Sequence, residues 1–221
     1  MFEKVSKFHP DKVADRIAGA ITDLAYTLNE KPKVATEVLI GHGICNIIIE
    51  SNVSFKKADI KKIINRIVGE NIKLNLVQVK QDEILAGNQN EIYKCGDNGI
   101  FRGVPTSKEE KLLVEIGRTL DEHFPYDGKY VLDLNNKKLI VCQSNASEDD
   151  ILIVLHNILN DDFEIIVNPL GYWTGGIEVD SGATNRKLGS DMGRAVTGGG
   201  LHGKDISKAD TTINIYCHIL A

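Results

Sequence analysis

The chain has 221 residues, 42% hydrophobic and 26% charged, with a formal net charge of −5. That is the mix of an ordinary globular protein long enough for one large or two small domains with a real core. The acidic balance argues against a nucleic-acid partner, and no run of about eighteen apolar residues offers a membrane span.

The charged stretch Met1 to Lys12 has no apolar signal core. Phe8-His9-Pro10-Asp11-Lys12 opens the first predicted helix, since proline is favourable at a first helical position. Val13, Ile17, Ile21, Leu24 and Leu28 recur at helical spacing, so this helix covers 10–28. His9, Asp11 and Lys12 lie at its N-terminal end, where free N–H groups and the positive end of the dipole suit phosphate. Capping alone also accounts for Asp11. Val34 to Ile40 and Ile44 to Ile49, joined by Gly41-His42-Gly43, read as a hairpin. Glu37 and Glu50 lie within or at the ends of its strands and, taken singly, read as solvent-facing. A helix over Lys56 to Glu70 and a half-buried strand over Asn71 to Lys80 follow. Residues 81–106 are polar and irregular, a loop long enough to be functional or disordered. Within it, Asp97 of Cys95-Gly96-Asp97-Asn98-Gly99 also fits an ordinary turn.

Ser107 and Glu110 form a capping-box signature for a helix reaching about Phe124. Tyr130 to Leu134 and Lys138 to Gln143 read as strands around an Asn135-Asn136 turn. Ser147 caps a helix carrying Ile151, Leu152, Leu155, Ile158 and Leu159, and a short strand over Phe163 to Val167 ends at Asn168-Pro169. Ser207 to Leu220 reads as a closing helix with Lys208 and Asp210 in its first turn. The four cysteines (Cys45, Cys95, Cys142, Cys217) form no C-x-x-C pair. They read as reduced thiols in a reducing cytoplasm, with Cys45, Cys142 and Cys217 buried.

Half of the 20 glycines fall between Gly171 and Gly203. Interleaved with them or just beyond are Arg186, Lys187, Lys204 and Lys208, and Asp180, Asp191, Asp205 and Asp210. Glycine lets backbone N–H groups approach an anion, Lys and Arg suit phosphate oxygens, and aspartates suit magnesium. The simplest target is a polyphosphate with its metal ions. Gly198 to Asp205 begins like a P-loop, but Asp205 stands where that loop needs a hydroxyl, and no clear apolar strand precedes Gly198.

The order helix, hairpin, helix, strand occurs twice, over about 10–80 and 107–167. The expected fold is α+β: two related α/β units, each with helices on one face of its sheet and the other face packed at a homodimer interface. The units divide as 1–106 and 107–221, with room for the two to interleave.

Four segments in order resemble the S-adenosylmethionine synthetases (methionine adenosyltransferases): His9-Pro10-Asp11-Lys12; Cys95-Gly96-Asp97-Asn98-Gly99; Asp180-Ser181-Gly182-Ala183-Thr184-Asn185-Arg186-Lys187; and Gly198 through Asp210. Asp127-Gly128-Lys129 and Asn168-Pro169 add weaker matches, and the likeness covers nearly the whole chain. The resemblance implies attack of methionine sulfur on C5′ of ATP, then hydrolysis of the tripolyphosphate to diphosphate and phosphate. It implies magnesium, two ions per site, and potassium, with ATP, L-methionine and S-adenosylmethionine as ligands and an active site shared by two subunits. Carried over, His9 lies near the breaking bond, and Asp11 and Asp210 bind magnesium. Lys12, Lys129, Arg186, Lys187, Lys204 and Lys208 meet phosphate, with His9, Lys129, Arg186 and Lys204 catalytic. Asp127, Asp180 and Trp173 serve the nucleotide, although Trp173 also fits a packing role. Glu50, Gln81, Asp97 and Lys208 serve methionine, and Glu37 potassium.

The chain departs from the family pattern in places. It supplies two of the usual three domains, Phe8 replaces a glycine, Tyr172 stands where Arg is usual, and Leu201-His202 replaces a longer element. An inactive relative that binds ATP or S-adenosylmethionine, a regulatory partner of a full-length synthetase, and an unrelated phosphotransferase remain alternatives to an active synthetase.

Overall fold

The computed structural model describes residues 1–87, 104–159, 162–193 and 200–221. The first half holds β1 (Phe2–Val5), α1 (Pro10–Leu28), β2 (Val34–Gly41), β3 (Ile44–Ser51), α2 (Lys57–Val68), β4 (Lys73–Val79) and α3 (Glu83–Gly87). The second holds α4 (Lys108–His123), β5 (Gly128–Asp133), β6 (Lys138–Gln143), α5 (Glu148–His156), β7 (Glu164–Val167), β8 (Ser181–Ala183), α6 (Leu188–Met192) and α7 (Ala209–Leu220). The twice-repeated order of helix, hairpin, helix and strand is present. Strands β1 and β8 and helices α3, α6 and α7 are additions to it.

Local chemistry explains the boundaries. His42 and Gly43 turn the first hairpin with φ of 50° and 75°, the left-handed values a tight turn between twisted strands requires. The capping box of α4 is complete: Glu110 N–H donates to Ser107 Oγ (3.1 Å), and Ser107 N–H donates to Glu110 Oε2 (2.8 Å).

Two four-stranded sheets share one plan. The first runs β4-β3-β2-β8 and the second β7-β6-β5-β1. In each, an antiparallel hairpin gains a parallel strand beyond its second strand and an antiparallel edge strand beside its first. The edge strands are exchanged. β1, from the start of the chain, completes the second sheet, and β8, from far downstream, completes the first.

Period-two alternation sets the faces. Val34, Val38, Ile40, Cys45, Ile47 and Ile49 point inward against Ile17 and Ile21 of α1 and Ile60 and Ile64 of α2. Tyr130, Leu132, Leu139 and Val141 do the same against α4 and α5. The helices thus cover one face of each sheet. The opposite face of the first sheet exposes Leu39, Ile44, Ile48, Val77 and Val79 beside Glu37 and Glu50. Two expected burials need correction. Cys45 is buried, but Cys142 and Cys217 are only half-buried. Cys142 lies on the outward side of its strand, and Cys217 lies among largely exposed residues of the final helix.

Candidate active site

The N-terminus of α1 is the focus of the first group. His9 caps the helix, and its Nδ1 accepts the Asp11 N–H at 3.2 Å. That bond assigns the ring proton to Nε2. Burial pushes the His9 imidazole below its usual pKa against the pull of Asp127 and Asp11. Asp11 is 2% exposed. Its Oδ1 accepts the Ala183 N–H at 2.9 Å and lies 3.5 Å from Arg186, while Lys187 Nζ is 3.0 Å from its Oδ2. Burial pushes the Asp11 carboxyl up, but that amide and the two cations outweigh it and hold the group below the usual carboxylate range. Gly182 allows this convergence. β8 presses so closely on α1 that a Cβ at Gly182 would lie 2.0 Å from Pro10 C and 2.1 Å from Asp11 N.

Asp127 and Asp180 belong to the same electrostatic group as His9. Asp127 Oδ2 accepts the Gly176 N–H at 3.3 Å, and burial pushes its carboxyl up against the opposing effect of His9. Asp180 is exposed and accepts its neighbour Ser181 N–H at 2.7 Å.

The second group is built by the 203–210 segment against β2. Gly203, at φ 82°, accepts the Thr36 N–H at 2.8 Å, and Lys204 bridges Ala35. Lys204 Nζ pairs with Asp210. Lys208 Nζ lies 2.5 Å from Asp205 Oδ2, which also accepts the Val34 N–H at 2.8 Å. Lys208 is therefore a buried ion-pair partner, with burial lowering its pKa and Asp205 opposing.

Lys12 turns away from both groups. Its ammonium lies 3.0 Å from Asp15, against Asp191, and 3.4 Å from His202 Nε2. His202 Nε2 is in turn 3.1 Å from Asp191. Burial pushes the Asp191 carboxyl up, but His202 and Lys12 outweigh it and hold the group down. Asp15, Asp191 and His202 could hold a metal ion, but the set includes an imidazole, and a histidine does not suit magnesium. This cluster was missed in the sequence. Only the one-turn spacing of Asp11 and Asp15 on α1 hinted at it.

The other expected site residues are scattered. Lys129 pairs with Glu3 at 3.2 Å on an exposed strand face. Trp173 donates its indole N–H to Asn168 Oδ1 at 3.1 Å and is half-buried. Glu37 and Glu50 share the open face of the first sheet, and Glu37 accepts the Thr184 hydroxyl. Gln81 is buried, and its Oε1 finds no hydrogen-bond partner among the described residues. Asp97, Cys95, Gly198 and Gly199 lie outside the described residues.

The donors suit the expected magnesium. Asp11 and Asp210 are buried carboxylates, and each already holds a Lys ammonium against its Oδ2. A cation is what these oxygens require.

Residues 1–89 match the family described as S-adenosylmethionine synthetase, N-terminal domain. The S-adenosylmethionine synthase of Helicobacter acinonychis is 28% identical over 263 aligned residues, covering 94% of this chain and 68% of that protein. That of Mycoplasma capricolum is 27% identical, covering 99% of this chain and 71% of its own. The fold is shared with an unusual S-adenosylmethionine synthetase from Campylobacter jejuni, at a TM-score of 0.72 and 21% identity over 95% of this chain and 70% of the other. Residues 1–89 are thus similar to the N-terminal domain of the S-adenosylmethionine synthetases, and most of the chain aligns with S-adenosylmethionine synthases.

Proposed function

We propose that this protein makes S-adenosylmethionine from ATP and L-methionine. Methionine sulfur donates an electron pair to C5′ of ATP, and the S–C5′ bond forms as the C5′–O bond breaks. The electron pair leaves with tripolyphosphate, which water then cleaves to diphosphate and phosphate. The observation that carries this reading is the Arg186–Asp11–Lys187 arrangement at a helix N-terminus, beside a His9 whose Nδ1 accepts the Asp11 N–H.

His9 Nε2–H donates to the departing oxygen as charge develops on it. Preorganised donors at that place are the strongest physical route to rate. Arg186 and Lys187 face one part of the polyphosphate and Lys204 another, with Lys129 and Lys208 in support. Asp11 and Asp210 would hold magnesium ions, which when bound supply neutralising charge to the polyphosphate, and Glu37 would hold potassium. Asp127, Asp180 and Trp173 orient the nucleoside, while Glu50, Gln81 and Asp97 serve methionine. The repeats 1–106 and 107–221 both lend groups to the site.

A homodimer completes the reading. Exposed Leu39, Ile48, Val77 and Val79 form an apolar sheet face of the kind a second copy covers. Among the described residues, no helix is long and apolar enough to cross a membrane.

The test is mass spectrometry of a reaction containing the protein, ATP, L-methionine, magnesium and potassium. S-adenosylmethionine with diphosphate and phosphate is the expected result. ADP formation would replace the proposal with a phosphotransferase. Binding of ATP or S-adenosylmethionine without product would replace it with a binding module.

A further inference from the structure

Asn185 joins the two cationic groups. It adopts φ 64°, left-handed backbone that Asn tolerates better than most residues. Its N–H donates to Asp15 Oδ1 at 2.7 Å, which ties it to helix α1. Its side-chain amide then grips one residue's backbone from both sides. Oδ1 accepts the His202 N–H at 2.8 Å, and Nδ2 donates to the His202 carbonyl at 3.1 Å. Gly200 packs so closely on this amide that a Cβ there would lie 2.7 Å from Nδ2. Directly after Asn185 come Arg186 and Lys187, which reach Asp11. Two residues beyond His202 comes Lys204.

We propose that Asn185 is a positioning residue, setting the spacing between the Arg186–Lys187 pair and Lys204 by clasping the His202 backbone. This rests on the phosphate-binding reading above. A polyphosphate that spans both groups gains from each only if their separation matches it, and small misplacements are costly when charge is being stabilised. Glycine would keep the left-handed turn and lose the clasp. Alanine would lose both.

The test compares wild type, Asn185→Gly, Lys204→Ala and the double variant. Magnesium tripolyphosphate binding is measured by calorimetry, and kcat and both KM values are measured in the full reaction. Asn185→Gly is expected to weaken tripolyphosphate binding and lower kcat about tenfold each, the scale of two lost neutral hydrogen bonds. KM for methionine should hold. Added to Lys204→Ala, Asn185→Gly should cost little more, because it acts through that lysine. Full additivity, or wild-type binding and turnover in Asn185→Gly, would overturn the proposal. Hydrogen exchange of the ligand-free protein reads the clasp without any reaction: amides over 201–204 should exchange faster in Asn185→Gly. Unchanged exchange would overturn the clasp alone, whereas wild-type protein that binds no tripolyphosphate would overturn the functional reading on which it rests.

Discussion

Replacing Gly182 with alanine tests how the site is held together. The new Cβ would lie 2.0 Å from Pro10 C, and ordinary contact begins at 3.4 Å. β8 must therefore retreat from α1 by about 1.4 Å, the difference between those two distances. The Ala183 N–H, now 2.9 Å from Asp11 Oδ1, would move out of hydrogen-bonding range. Overpacking costs about 1–3 kcal/mol, and a hydrogen bond to a charged group is worth about 1.5–3 kcal/mol. A loss of about 4 kcal/mol follows, or about 12 °C in Tm at about 3 °C per kcal/mol for a chain of this size. Differential scanning calorimetry reads this directly. Gly19→Ala is the control. Gly19 lies inside α1 with nothing within 4 Å of an added Cβ, so alanine there should stabilise by up to about 1 kcal/mol. A Gly182→Ala protein melting within about 3 °C of wild type would refute the close-approach account on the same stability scale.

Lys204→Ala should lower turnover about a hundredfold or more in a kcat measurement, and because it leaves the buried Asp210 carboxylate without its ammonium it should also lower the melting temperature. Lys12→Met leaves Asp15 and Asp191 without their ammonium and should cost about 3–5 kcal/mol by urea titration. The folded protein depresses the Asp191 pKa, so that stabilisation is present above the unfolded carboxylate pKa of about 4 and is lost as pH falls through the folded value. The gap between wild type and Lys12→Met should therefore narrow in acid. The proposed homodimer predicts that Ile48→Asp, on the open sheet face, gives a monomer in sedimentation and abolishes activity with it. Burial pushes the Cys45 thiol up to about 12, so peptide mapping after native alkylation at pH 8 should find Cys45 unmodified.

The elements legible in the sequence were those whose signal is local. Ile17 and Ile21 mark a helix by their spacing, Val38 and Ile40 a strand by alternation, and Ser107 with Glu110 a helix start by reciprocal capping. Strand β8 has no such mark. Ser181-Gly182-Ala183 becomes a strand only because Leu39, Ile40 and Gly41 of β2 offer it hydrogen bonds. Strand β1 is equally silent until it meets β5. The same distinction applies to the site. His9, Asp11, Arg186 and Lys187 stand in chemically dense stretches, and the fold brings them together. Lys12 stands in one too, yet three-dimensional packing diverts it to Asp191. No spacing rule connects Asn185 to His202, because that contact exists only once the loop has returned.

The exchange of edge strands has a consequence for synthesis. Among the described elements β1 is made first, but Val5 has no strand partner until Lys129 has been made. The first sheet, assembled early from its hairpin, keeps the β2 edge bare until Gly182 arrives to pair with Ile40. Neither half can finish without the other, so a growing chain carries two unpaired edges from the completion of β2 at Gly41 until Lys129 is made. Final closure also delivers Arg186 and Lys187 to Asp11, so the cationic site appears only when the last strand is locked in place.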